Sequence, residues 1–171
     1  MQSIIIPLVK SEKGSLGDID NYRAIASSNA ASKILESIFL EQLNTSPDSD
    51  SSQFGFKSGH STELCTHMLK QVVKYYTDRG SHVFTCFVDF TKAFDYVTYW
   101  KLFCKLLEDG DIVALLNFWY SRQLTSVRWK SAVSSSFHCT NGTRQGSVLS
   151  PFLFKRYIRD LLATINGCNI G

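Results

Sequence analysis

A short apolar stretch that ends in an acidic residue constrains the fold of this chain more than any other feature. Between residues 83 and 90 the side chains alternate in a way that predicts a half-buried β-strand. Asp89 falls at the end of this strand, where burial of an unpaired carboxylate would be costly. A divalent metal ion at the strand end would compensate the charge. The simpler alternative is that Asp89 caps the turn that follows.

The composition is that of an ordinary globular protein. A length of 171 residues suits one domain with a sizeable core. With 44% hydrophobic and 19% charged residues, the chain does not have the composition of a disordered protein. The net charge of +3 is dispersed along the sequence. Such a charge is compatible with nucleic acid, although a dedicated binder usually carries a denser basic stripe.

Cysteine usage and hydropathy indicate an intracellular protein. The five cysteines are scattered and include no Cys-x-x-Cys pair, which predicts free, mostly buried thiols in place of disulfides or a zinc site. The N-terminal residues lack the basic region of a signal peptide. No apolar run approaches the roughly 18 residues of a membrane span. We therefore expect a nuclear or cytoplasmic protein without membrane association.

The order of predicted elements indicates an α+β fold with helices packed on a small sheet. Strands are predicted at 4–6 and 83–90, and a β-hairpin at 127–130 and 134–139. Helices are predicted at 29–43, 61–78, 98–108, 111–123 and 150–165, and loops at 10–20 and 44–52.

Periodicity also predicts which sides of the first two helices face a core. The inward side of helix 29–43 is predicted to carry Ala30, Ile34, Ile38 and Phe39. The inward side of helix 61–78 is predicted to carry Leu64, Met68, Val72 and either Tyr75 or Tyr76.

Four blocks of sequence resemble those of reverse transcriptases from non-LTR (LINE-like) retrotransposons. They are NYRAI at 21–25, followed by SKILE at 32–36; QFGFKSGHST at 53–62; FVDFTKAFDYV at 87–97; and NGTRQGSVLSPFLF at 141–154. The last two resemble the polymerase motifs A and B. Each block alone is a weak signal, but they occur in the family's order and cover essentially the whole chain.

This resemblance implies a partial right-hand polymerase fold, made of fingers and part of a palm. The fingers-like part would cover about residues 1–80, and the palm-like part about residues 81–171. The helices would pack on a small, mostly antiparallel sheet. No thumb and no endonuclease are expected within the chain.

The resemblance also implies a magnesium site. Asp89 would be the catalytic, metal-binding carboxylate of motif A, and the backbone carbonyl of Phe90 a further ligand. Two Mg²⁺ ions assist nucleotidyl transfer in such polymerases. Asp95 is interpreted as structural, capping or pairing locally.

By the same resemblance, nucleotide and template binding would fall to residues from three blocks: Arg23, Lys92, Ala93, Phe94, Gln145 and Gly146. Arg23 would clamp the triphosphate, because a guanidinium suits bidentate phosphate contacts. The backbone of Lys92 and Ala93 would offer N–H groups to the phosphates. Phe94 would lie beneath the incoming sugar and favour deoxynucleotides, or it would simply pack in the core.

Several neighbouring residues leave two interpretations open. Gln145 and Gly146 would let an amide and a bare backbone approach the nucleotide and the templating base. Arg144 would either contact phosphate or be solvated. Lys10 and Lys57 are phosphate candidates too, with ordinary surface lysines as the favoured interpretation.

The implied function is that of an RNA-directed DNA polymerase. Its partners would be an RNA template, a DNA primer, dNTPs and the remainder of the retrotransposon polyprotein. The family takes its other metal-binding carboxylates from a Tyr/Phe-x-Asp-Asp box, and this sequence contains no Asp-Asp pair. We therefore expect little or no polymerase activity from this chain alone. The alternative is a non-catalytic remnant that binds nucleic acid or nucleotides.

Overall fold

The structure is a computed structural model that describes residues 2–43, 53–57, 59–108 and 113–167, with side chains up to residue 160. Its contacts divide the chain into two compact units. One unit comprises Met1–Ser46 together with Lys92–Gly171, and the other comprises Pro47–Thr91. The division into fingers-like and palm-like parts stays a prediction.

The first unit contains a mixed five-stranded sheet. Its strands are β1 (Gln2–Val9), β2 (Tyr22–Ser28), β3 (Leu124–Trp129), β4 (Ala132–Val133) and β5 (Phe137–His138). Strand β1 pairs antiparallel with β2 and parallel with β3. Strand β3 pairs antiparallel with β4 and with β5, so the predicted hairpin is confirmed. The α+β class is confirmed as well.

One buried asparagine organises the loop between β1 and β2. The side chain of Asn21 accepts a hydrogen bond from the Ser11 amide at 3.2 Å and donates to the carbonyls of Ser11 and Ser15. A Cβ atom on Gly14 would lie 2.6 Å from Nδ2 of Asn21, so the loop closes tightly around this side chain. The first residue of the NYRAI block is thus structural, and it directs the chain into β2, which carries Arg23.

Five α-helices lie close to the predicted positions. They are α1 (Ala30–Leu43), α2 (Thr62–Thr77), α3 (Tyr99–Glu108), α4 (Val113–Ser121) and α5 (Ser150–Gly167). Local capping explains two of their starts. Asn29 accepts from the Ser32 amide at 2.8 Å, and Ser61 accepts from the Leu64 amide at 3.1 Å.

The core of the first unit forms where α1, α3, α4 and α5 meet. Its buried members are Phe39, Leu43, Val97, Leu102, Phe103, Leu106, Val113, Leu116, Tyr120, Leu149 and Leu153. Because Leu149 and Leu153 belong to this core, the block that follows residue 141 is fixed at its C-terminal end. None of the described helices combines the length and the apolar character that a membrane span needs.

The predicted inward side of α1 is wrong except at Phe39. The buried residues of this helix are Ser32, Glu36, Phe39 and Leu43, whereas Ile34 is 63% exposed. Burial of Glu36 accounts for the difference, because its carboxylate finds an arginine and several hydrogen-bond donors in the first unit. A polar residue can replace an apolar one on a buried side when its partners are present.

The predicted inward side of α2 is also wrong. None of its residues is buried, and its apolar side chains Leu64, Met68, Val72, Tyr75 and Tyr76 are exposed.

The strand predicted at 83–90 does not form. This stretch is irregular, and Phe84 and Phe87 are 94% and 79% exposed. A strand requires a neighbour that receives its backbone hydrogen bonds. No strand is formed by residues 83–90.

The cysteine prediction is correct in part. Cys65, Cys86, Cys104 and Cys139 are free thiols, but Cys65 and Cys86 are exposed, so the expectation of mostly buried thiols is wrong for them. Cys168 and the whole of the loop predicted at 44–52 lie outside the described residues, as does the break between α3 and α4.

Candidate functional site

A cavity of about 360 Å³ opens in the first unit beside the ends of β1 and β2. Its lining comes from four separate parts of the sequence: Lys10; Ile19, Asp20, Tyr22, Arg23 and Ala24; Lys92, Ala93 and Asp95; and Gln145. This volume is within the range of small-molecule sites. The cavity therefore brings together Arg23, Lys92, Ala93 and Gln145, which were predicted as nucleotide-binding residues.

The turn at residues 91–96 is anchored to the loop that begins at residue 141. Within the turn, the amide of Asp95 donates to the Lys92 carbonyl at 2.9 Å, and Lys92 has a φ of 53°. The Thr143 amide donates to the Phe94 carbonyl at 2.8 Å. A Cβ atom on Gly142 would lie 3.0 Å from the carbonyl oxygen of Asp95, so a glycine permits this approach.

The loop at 141–149 is in turn attached to the edge of β2. The amide of Ala26 donates to the carbonyl of Gln145 at 2.7 Å, and Ile25 and Gln145 form a parallel bridge. Gly146 has a φ of 105°, and a Cβ atom there would lie 2.7 Å from the Ala26 carbonyl oxygen. Only glycine fits such a position without displacement of the backbone. Gln145 is thereby held beside the strand that carries Arg23.

The cavity wall carries three cations and two carboxylates, those of Asp20 and Asp95. Lys10, Arg23 and Lys92 contribute cations, and Asp20 lies between the two lysines. The Asp20 carboxylate is 2.7 Å from Nζ of Lys92, and Nζ of Lys10 donates to the Asp20 carbonyl at 2.8 Å. Arg23 is exposed and its guanidinium has no ion-pair or hydrogen-bond partner among the side chains that the structure describes.

The hydrogen bond and the charge of Lys92 lower the pKa of Asp20 from its usual value of 3.8. The same contact raises the pKa of Lys92 above its usual value of 10.5. Both groups are therefore ionised at neutral pH. The Asp20 carboxylate therefore forms an ion pair with Lys92, the lysine that an anionic ligand would otherwise contact.

Phe94 contacts the start of α5. Its ring lies 4.9 Å from that of Phe154, tilted by 32°, and its side chain is half-buried. This contact favours the packing interpretation of Phe94. Its role beneath a sugar stays a prediction.

Three other candidates belong to the second unit. Asp89 and Phe90 are exposed, and Lys57 is half-buried. Residue 89 is therefore not sealed in a packed core. Over the described ranges, no group of three or more His, Cys, Asp or Glu side chains is suited to hold a metal ion. The carboxylate of Asp89 and the carbonyl of Phe90 are nevertheless hard oxygen donors of the kind that Mg²⁺ prefers.

Neither predicted role of Arg144 is correct. Its side chain is 7% exposed and pairs with the buried carboxylate of Glu36 at 2.5 Å. Sequence reasoning missed Glu36 and Asp20. Lys10, for which an ordinary surface lysine was the favoured interpretation, is exposed and lines the cavity. Asp20 directly precedes NYRAI and Glu36 ends SKILE, so position next to a family block was the available signal.

Comparison with known proteins places the chain in a family. A family model described as "Reverse transcriptase (RNA-dependent DNA polymerase)" matches residues 10–170. The RNA-directed DNA polymerase from mobile element jockey of Drosophila funebris is 30% identical over 92% of this chain and 18% of its own length. Two Drosophila melanogaster proteins, the probable RNA-directed DNA polymerases from transposon X-element and transposon BS, are each 29% identical over 82% and 83% of the chain.

The chain spans less than a fifth of the length of these relatives, since it covers 18%, 16% and 16% of them. The family match nevertheless extends over almost all of its own residues. The blocks at 21–25, 87–97 and 141–154, which contribute residues to the cavity, lie within the matched region. The chain belongs to the reverse transcriptase family and is part of a reverse transcriptase domain of the non-LTR retrotransposon type.

Proposed function

We propose that this segment binds the incoming dNTP in an RNA-directed DNA polymerase. The cavity that joins Arg23, Lys92 and Gln145 is the observation that supports this proposal most directly. These residues come from three separate blocks of sequence, and the fold gathers them around one opening of suitable volume.

The cationic side chains of Lys10, Arg23 and Lys92 would bind the triphosphate. Arg23 offers a planar guanidinium without a competing partner, which suits bidentate contact with phosphate oxygens. Lys10 and Lys92 would add point charges. Their present contacts with Asp20 are exposed, and exposed ion pairs of this kind are weak, so a triphosphate can replace the carboxylate on Lys92.

Gln145 and Gly146 would define the opposite side of the site. The amide of Gln145 can donate and accept hydrogen bonds, and the bare backbone at Gly146 allows a base or sugar to approach closely. The backbone attachment of Gln145 to β2 holds this residue beside the strand that carries Arg23.

The proposed reaction is attack of a primer 3′-hydroxyl on the α-phosphate of the dNTP, with release of pyrophosphate. Asp89 and the carbonyl of Phe90 would hold Mg²⁺, which in such polymerases neutralises the negative charge that develops on phosphate oxygens. An RNA template, a DNA primer and further parts of the polyprotein would be the partners.

The affinity of the chain for a dNTP tests the proposal. We expect Arg23→Ala to weaken binding of dTTP about tenfold, because a charge-assisted phosphate contact is lost. Arg128→Ala is the matched control, since Arg128 is an exposed arginine on β3 that does not line the cavity. Equal dTTP affinity for wild type and Arg23→Ala, measured by calorimetry, would contradict the proposal.

Primer extension distinguishes binding from catalysis. The 171-residue chain is expected to bind dTTP and to extend a primer on an RNA template little or not at all. In a longer polymerase that contains this segment, extension is expected to depend on Asp89 and to disappear in Asp89→Asn. Extension that is unchanged by Asp89→Asn would exclude Asp89 as the catalytic carboxylate.

A further inference from the structure

A buried ion pair connects helix α1 to the loop that carries Gln145 and Gly146. Glu36 is 1% exposed and Arg144 is 7% exposed at their side chains, and Oε1 of Glu36 accepts from Nη2 of Arg144 at 2.5 Å. The residues lie 108 positions apart in the sequence. Arg144 also donates from Nη1 to the hydroxyl of Ser28 at the end of β2, at 3.0 Å.

The same carboxylate holds the far side of the loop. Oε2 of Glu36 accepts from the Ser147 hydroxyl at 2.8 Å and from the Val148 amide at 2.9 Å. The Ser147 amide donates to the Arg144 carbonyl at 3.2 Å and so closes a turn. Gln145 and Gly146 are the central residues of that turn, and the positive φ of Gly146 at its third position is typical of type II turns. One carboxylate thus holds both ends of the turn.

Burial of two charges is not by itself a gain in stability. Removal of a carboxylate and a guanidinium from water carries a large desolvation penalty, and apolar residues of similar volume often serve stability equally well. Charges that are kept in such a place can instead specify one geometry. Here the geometry that the pair specifies is that of the turn between Arg144 and Ser147.

We propose that Glu36 is a positioning residue for Gln145 and Gly146. Through Arg144, Ser147 and Val148 it holds the turn beside β2, where Gln145 lines the same cavity as Arg23. Glu36 itself does not line that cavity and contacts no reacting group. Its expected influence on dNTP affinity rests on the proposed function, whereas its influence on the conformation of the turn does not.

The decisive variant removes both charges and keeps the volume. In Glu36→Met combined with Arg144→Met, no unpaired charge is left in the core, so a folded protein is expected. The turn loses its hydrogen bonds to Glu36. We expect dTTP affinity to fall about tenfold, and the amide resonances of Gln145–Val148 to shift or broaden in NMR spectra. A merely structural pair predicts wild-type affinity and wild-type amide resonances for Gln145 and Gly146, neither of which donates to Glu36, once folding is restored.

A second variant and a control keep the test decisive. Glu36→Gln retains the size and an acceptor oxygen but not the charge, and it is expected to disturb the same amide resonances. Glu41→Gln changes an exposed glutamate of the same helix and is expected to leave the loop and the affinity unchanged.

The two proposals fail in different ways. If wild type does not bind dTTP, the proposed function fails for this chain, while the loop resonances still decide the role of Glu36. If the folded double variant keeps wild-type amide resonances for Gln145 and Gly146, or wild-type affinity where wild type binds, the positioning role is overturned. If the double variant does not fold, unchanged resonances in Glu36→Gln overturn it.

Discussion

The loop at 141–149 and the stretch at 83–90 differ in how completely the protein holds them. Both contain part of a family block. The loop is attached to β2, to the turn at 91–96 and to α1 by hydrogen bonds, and three of its residues need special surroundings: Gly142, Arg144 and Gly146. The stretch at 83–90 joins no strand of the described sheet and exposes its large apolar side chains.

This difference separates two kinds of sequence signal. Glycines and polar residues encode the loop through contacts that each residue makes by itself, such as a positive φ or a buried ion pair. Alternating side chains produce a strand only when a neighbouring strand forms hydrogen bonds with its backbone N–H and C=O groups. Predictions of the first kind can therefore be right where predictions of the second kind fail.

The largest expected effect on the free energy of unfolding comes from a core residue of the first unit, compared with an exposed apolar residue of the second. Leu102 is fully buried on α3, and Leu102→Ala is expected to lower the free energy of unfolding by about 2–5 kcal/mol through loss of contacts and formation of a cavity. Val72→Ala, at a residue of α2 that is 49% exposed, is expected to change it by less than about 0.5 kcal/mol. Urea unfolding followed by circular dichroism measures both. A cost for Val72→Ala comparable with that for Leu102→Ala would mean that the face of α2 is covered in solution.

Substitution of two glycines, Gly146 in the loop and Gly55 outside it, tests how tightly the loop is held. Gly146→Ala is expected to destabilise the protein by about 2 kcal/mol, because the φ of 105° is strained for alanine and the new Cβ atom would lie 2.7 Å from the Ala26 carbonyl oxygen. Gly55→Ala is the control, since no atom lies within 4 Å of its Cβ position. Thermal unfolding compares the two. A stability loss as large for Gly55→Ala as for Gly146→Ala would contradict the contrast.

The starts of α1 and α2 could be predicted from sequence, whereas the burial of their side chains could not. The helices predicted at 29–43 and 61–78 begin with Asn29 and Ser61, and these residues cap the observed helices, because capping depends on a side chain and amides a few residues away. The inward sides of α1 and α2 were predicted less well, since burial depends on distant partners. Ile34 has the character of a core residue, yet Glu36 is buried because Arg144 lies opposite.

The same limit applies to the site. Arg23, Lys92 and Gln145 could be proposed from the family blocks, and the fold brings them to one cavity. Nothing local in the sequence indicates that Asp20 pairs with Lys92, because that contact depends on how the loop after β1 meets the turn at 91–96. The arrangement of charges is a tertiary property.

Removal of the helix caps is expected to change stability less, and to affect the two units differently. Asn29→Ala is expected to lower the free energy of unfolding by about 1 kcal/mol, because α1 contributes to the core through Phe39 and Leu43. Ser61→Ala removes an equivalent cap from α2, which buries no residue, so its loss is expected to appear as faster hydrogen exchange within α2 with little change in the unfolding of the core. Hydrogen exchange by mass spectrometry resolves the two helices. If Ser61→Ala reduced protection in α1 and α3, the contrast would be lost.

The smallest expected effect concerns the ion pair at the cavity wall. The pKa of Asp20 is lowered by Lys92, so any stability that this pair contributes is fully present above the unfolded value of 3.8 and disappears as the pH falls through the lowered pKa. In wild type, the NMR titration of the Asp20 carboxyl carbon is expected to have its midpoint below 3.8; in Lys92→Met the midpoint is expected to move up towards 3.8. Lys13→Met provides a control, since Lys13 is an exposed lysine of the same loop that does not line the cavity. An equal titration midpoint in wild type and Lys92→Met would show that Asp20 does not form an ion pair with Lys92 in solution. The triphosphate would then have no carboxylate to displace from Lys92.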